Sequence, residues 1–208
     1  MKTPVALLLA GASLLTGCVL PGPGNGGQPQ RTYTLQAPAA AGEAERRWPC
    51  VTLRIARPDA APGFSTARMA YTDTAHRLDY FAYNAWVAMP PAMVAAATET
   101  YLAASGRFGA VISGSADVRS DYRLDAGGIR LVQRVDGQAS SVIFESRVRV
   151  VDVESRRLLA SRAFRYEEPA AAANPEAGVA AANRAFARYL DDLAAFLDTA
   201  FAPQACPG

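Results

Sequence analysis

Lysine is all but missing from this 208-residue chain, with Lys2 the only one among 21 Lys and Arg side chains. Against 19 acidic residues the formal net charge is +2, which excludes the strongly basic surface that a nucleic-acid binder needs. Histidine is just as scarce: His76 stands alone, so a metal site or proton relay built on two imidazoles is excluded. No G-x-S-x-G elbow, G-x-x-x-x-G-K-[ST] loop or H-E-x-x-H helix occurs, which removes the conventional serine hydrolase, phosphate-loop ATPase and zinc protease. His76, with Asp73 and Asp79 near it, falls in a polar turn and reads as solvated. Glu167-Glu168 and Asp191-Asp192 are adjacent pairs whose side chains diverge instead of meeting in one acid/base site, and they read as surface charge. The residues therefore offer no catalytic group, no metal site and no cofactor. A hydrolase with an unusual site would need a concave pocket of convergent polar groups.

A membrane-spanning run is missing too. Val5–Leu15 (VALLLAGASLL) is too short to cross a bilayer, which takes about 20 residues, and behind Lys2 it has the form of a secretory signal. It ends in Leu15-Thr16-Gly17-Cys18, which resembles the bacterial lipobox, whose Cys is acylated and becomes the first residue of the mature chain. Gly22, Gly24 and Gly27 formally spell G-x-G-x-x-G, yet no strand precedes them and Pro21 and Pro23 break any helix start. The Gly/Pro run is better read as a solvated tether. Several acyl chains on Cys18, at about 0.8 kcal/mol per buried methylene, hold a protein firmly where one chain would not. Val19 stands where an inner-membrane lipoprotein usually carries Asp, so outer-membrane residence on the periplasmic face is expected. The partition is a signal peptide at 1–17, a tether at 18–30, one folded domain at 31–202 and a short tail at 203–208.

There are three cysteines. With Cys18 assigned to lipid, Cys50 and Cys206 are left either as a structural disulfide, suited to an oxidising periplasm, or as two free thiols.

Within the domain, Tyr33 and Leu35 suggest a short strand and Val51–Ile55 alternates as a half-buried strand should. Met69 with Tyr71, and Leu78 with Tyr80, mark two more across a turn at 72–76. Pro90-Pro91 opens a helix with an apolar stripe of Met93, Val94, Ala97, Tyr101 and Leu102, stopped by Gly106. An antiparallel meander follows. The parity of its apolar residues flips between Leu124 and Ile129, which predicts a bulge at Gly127-Gly128, and Asp136-Gly137 predicts a hairpin. Phe186, Leu190, Leu193, Leu197 and Phe201 predict a second helix after Asn174-Pro175. The expected fold is a single α/β or α+β domain: a mixed, largely antiparallel sheet of about six strands packed with two main helices on one or both faces. On the meander's outer side Arg130, Arg134, Arg147 and Arg149 suggest a basic stripe, either a solubilising face or a docking surface for an acidic partner or lipid headgroups.

The order of Tyr33-Thr34-Leu35, Pro62-Gly63-Phe64, Met69-x-Tyr71, Leu78-x-Tyr80-Phe81, Trp86, Pro90-Pro91, Ser105-Gly106-x-Phe108 and Asp121-Tyr122-Arg123-Leu124 resembles the ABC-type transport auxiliary lipoprotein family, which includes the lipoprotein of the paraquat-inducible intermembrane transport system. The resemblance covers most of 32–201; Cys50, Cys206, the long tether and the tail depart from it. It implies a non-enzymatic component of a trans-envelope lipid transport machine, docking a periplasmic conduit of proteins with mammalian-cell-entry (MCE) domains. Self-association is left open. Tyr80, Tyr83 and Trp86 either fill the core under the first helix or, where exposed, contact the conduit or lipid. The rival reading is a lipoprotein that activates or scaffolds an envelope enzyme such as a cell-wall synthase.

Overall fold

The computed structural model describes residues 29–39, 47–114 and 118–201. Eight strands and two helices run in the order β1 (Arg31–Tyr33), β2 (Trp48–Ile55), β3 (Arg68–Thr72), β4 (Asp79–Trp86), α1 (Pro90–Ala104), β5 (Phe108–Ser113), β6 (Tyr122–Asp136), β7 (Ala139–Asp152), β8 (Leu158–Ala170) and α2 (Pro175–Ala200). The sheet is mixed, as the sequence implies, and reaches eight strands because even short segments at its margins, β5 and the β1 foreseen around Tyr33, take ladder positions. Its antiparallel part is the long β6–β7–β8 meander together with the β3–β4 hairpin.

β6 organises the rest. One edge pairs along its length with β7. The other edge is shared: Tyr122–Leu124 pair in parallel with Leu53–Ile55 of β2, and Val132–Arg134 with Ala70–Thr72 of β3. Between them the β2–β3 connection holds on through Ala61 N–H to the Ile129 carbonyl at 2.9 Å. β2 carries β5 on its far side, whereas β3 carries β4 and then β1. The predicted bulge is present as a register shift against β7 between Gly127 and Arg130.

Both helices lie on one face. Leu53, Leu124, Ile129, Leu131, Phe144, Val148 and Val150 point into the same buried cluster as Val94 and Leu102 of α1 and Phe186, Leu190, Leu193 and Leu197 of α2. Each fully buried Leu or Phe stabilises by about 1.5–3 kcal/mol relative to exposure, so this face dominates the folding energy. On the opposite face a small satellite of Phe64, Ala70, Val132 and Ile143 sits under Leu78 and Tyr80. The start of α2 is fixed by chemistry visible in the sequence: Asn174 Oδ1 accepts the Ala177 N–H at 2.9 Å, and Pro175 follows at the first helical position. No helix among the described residues is long and apolar enough to cross a membrane.

Candidate functional site

The described chain begins beside the first turn of α2. Arg31 on β1 donates to Glu176 Oε1 at 2.5 Å, and the Tyr33 hydroxyl donates to the same oxygen at 3.1 Å. Glu176 is held below the usual carboxylate range, first by the backbone N–H at the helix start and then by Arg31 and Tyr33. These contacts fix β1 against the first turn of α2. Cys18 lies outside the described residues.

Three aromatics offered themselves as contacts, and the structure separates them. Trp86 is 5% exposed and belongs to the core, its backbone N–H donating to the Ala67 carbonyl at 2.7 Å; it has no surface to give a partner. Tyr80 is half-buried in the satellite cluster, donating its hydroxyl to the Gly63 carbonyl at 2.7 Å under the Arg68 guanidinium. Tyr83 is 48% exposed. Position along β4 separates them: Ala82 and Tyr83 at mid-strand are both exposed, and the strand enters the core only at its end, where Ala85 and Trp86 are both buried.

The basic stripe is a mixed lattice. Arg130 faces Glu145 across the β6–β7 ladder, 3.6 Å apart, with its guanidinium over the Phe64 ring. Arg134 pairs with Glu167, and Arg165 bridges Glu145 and Glu167. Arg147 and Arg149 are exposed and make no ion pair among the described residues. Arg147 stands between Gly127 and Ala163, and Arg149 between Asp125 and Ser161. The stripe contracts to these two cations because their cross-strand neighbours are mostly small.

The adjacent carboxylates diverge as expected, but not all to water. Glu167 takes the outer face, while Glu168 turns to Arg184 and Arg188 of α2. Asp191, exposed as expected, accepts from the Tyr101 hydroxyl at 2.6 Å, and half-buried Asp192 accepts from the Tyr166 hydroxyl at 2.7 Å, so both also tie α2 to a neighbouring tyrosine. His76 sits in the β3–β4 turn with φ of 71° and is exposed. No group of three or more His, Cys, Asp or Glu able to hold a metal ion occurs among the described residues. Cys50 is disulfide-bonded; Cys206 lies outside the described residues.

One feature escaped the sequence. The sequence marks the inner stripe of α1, yet its outer side is apolar as well, with Ala92 and Ala96 exposed, and Val87 and Met89 are 63% and 40% exposed just before it. The signal was available, since Glu99 is the only charged residue in the helix.

These observations define a small domain in which two helices pack on one face of a mixed sheet. The sequence profile of the ABC-type transport auxiliary lipoprotein component matches residues 33–194, and the chain belongs to that family. A search of curated protein sequences finds no match. Among solved structures, a Xanthomonas campestris protein of the family DUF330 is similar at 22% identity and a TM-score of 0.73, covering 82% of this chain and 95% of that one. A second, an uncharacterized protein, is similar at 12% identity and a TM-score of 0.60, covering 82% and 99%. Both likenesses concern the fold.

Proposed function

We propose that this chain is an outer-membrane lipoprotein, anchored through Cys18, that serves as the non-catalytic auxiliary component of an ABC-type trans-envelope lipid transport system and docks an MCE-domain conduit protein. The family match over residues 33–194 carries the reading. The lipobox supports the anchor, and a tether joining the body at β1 leaves the remaining surface free to meet a partner in the periplasm. Tyr83, Arg147 and Arg149 are the docking contacts of this reading, each exposed on a strand.

A photo-crosslinking residue placed at Tyr83, Arg147 or Arg149 in cells tests the partnership. Adducts with an MCE-domain protein are expected from at least one position. Recovery of peptidoglycan enzymes alone would overturn the reading in favour of an enzyme activator. For the anchor, Cys18→Ala is expected to move the protein from the membrane fraction to the soluble periplasm; unchanged membrane fractionation would count against it.

A further inference from the structure

The parallel neighbours β2 and β5 end at Ile55 and Ser113, and beyond them opens a cleft of about 610 Å³ that the docking reading does not use. One wall is the outer side of α1, with Pro91, Ala92, Ala95 and Ala96; the other is the start of the β2–β3 connection, from Ala56 to Ala60. Ligands in α/β sheets lie characteristically outside the carboxyl ends of parallel strands, where neighbouring strands part. Here β2 and β3 part along β6, with only the Ala60–Ile129 bridge between them. The volume lies within the roughly 300–1,000 Å³ typical of small-molecule sites.

The chemistry of the cleft is uneven. Alanine, proline, Ile55 and Met89 give smooth apolar walls. Two carboxylates also line it, each engaged through one oxygen by a neutral donor: Asp59 Oδ2 accepts the Gly128 N–H at 3.2 Å, and Glu99 Oε2 accepts the Ser113 hydroxyl. Arg57, exposed at the rim, makes no ion pair among the described residues. An apolar slot with one uncommitted cation at its mouth matches an alkyl chain that carries an anionic head.

We propose that this cleft binds a single-chain anionic amphiphile, its alkyl chain between α1 and the β2–β3 connection and its head on Arg57. The proposal rests on the cleft alone, so it stands or falls apart from the conduit partnership. The test uses the whole chain with Cys18→Ser, which carries no acyl group of its own, titrated with the fluorescent fatty acid cis-parinaric acid below micelle formation.

One saturable site is expected, displaced by saturated fatty acids. Their affinity should rise about fourfold per added methylene and level off once the cleft is full. Ala96→Trp, at an exposed position, should weaken binding at least about tenfold, the cost of losing two or more buried methylenes, without changing the melting temperature. Should that variant fail to fold, Met89→Glu at the exposed rim carries the same test. Arg57→Ala should weaken oleate and leave oleyl alcohol unchanged. Displacement by oleate but not by oleoyl lysophosphatidate assigns a carboxylate head, and the converse assigns a phosphate head; either supports the site. Non-saturable binding, affinity independent of chain length, or a folded Ala96→Trp that binds normally would overturn it. So would an Ala96→Trp variant that alters only the molecular mass in light scattering, since that outcome gives the face to a second copy of the chain.

Discussion

Three hydroxyls meet inside the core. Tyr189 of α2 faces Ser146 of β7 and Thr98 of α1, and none of the three has a well-formed hydrogen-bond partner. An unmatched buried hydroxyl costs stability, so Tyr189→Phe is expected to leave the urea midpoint unchanged or raise it, whereas Tyr189→Ala should lose about 3–5 kcal/mol by opening a cavity. The tyrosines also set an alkaline limit. Complete burial pushes Tyr189 upward; burial and then the bond to Asp191 push Tyr101 up to about 12; burial and then Asp192 raise Tyr166. In the unfolded chain all three ionise near pH ~10. Because the fold favours their neutral forms, the stability they contribute is full below that value and is lost as pH rises through it toward the folded values. Urea midpoints should therefore hold steady at neutral pH and fall above about pH 10, and Tyr101→Phe with Tyr166→Phe should flatten that fall. Asp191 and Asp192 were illegible in this role because helical periodicity locates the centre of the buried stripe, not the flanks where a phenol from another element arrives.

Among the elements, α2 was the most legible, since a cap, a proline and a sustained helical period all agree locally. Asn174→Ala should cost about 1 kcal/mol in chemical denaturation through the lost bond to the Ala177 N–H. The same turn hides a contact that no pattern announces. Buried Gln133 crosses from β6, donates to Ser140 Oγ at 2.8 Å and to the Asn174 carbonyl at 3.1 Å, and lies flat on Gly178, where an added Cβ would stand 2.1 Å from its oxygen. The flip at Gly127-Gly128 was readable because a break in two-residue alternation is local. Which strands pair was not: β1 meets β4, and β2 meets β5, by parallel ladders between distant segments. The β2–β5 ladder is tight where β2 shifts register between Trp48 and Thr52, for a Cβ on Gly109 would stand 2.2 Å from the Pro49 carbonyl oxygen. Gly109→Ala must push backbone aside, and a loss of about 1–3 kcal/mol is expected from thermal or urea unfolding.

At the scale of the molecule, the C-terminal end of the domain comes back to β2. Phe201, at the end of α2, packs on Trp48, Phe108 and Tyr122, with ring centroids 5.4, 5.8 and 4.6 Å away. That places Phe201, the last described residue, against Trp48, two positions before Cys50. If Cys206 is the disulfide partner, Cys50→Ala and Cys206→Ala should each lower stability by up to about 5 kcal/mol, and the double variant by no more than either alone. Unequal or additive losses would assign Cys50 another partner. The other end behaves differently. β1 meets β4 through only three residues, Arg31 to Tyr33 against Asn84 to Trp86, and its Arg31–Glu176 pair is largely solvated. Tension along the proposed tether would therefore reach this short margin before it loads the meander. If the residues ahead of β1 form the proposed tether, peeling residues 29–33 would add up to roughly 17 Å at extended-chain rise, so this three-residue seam would act as a mechanical fuse while Leu35 and the rest of the core stay packed.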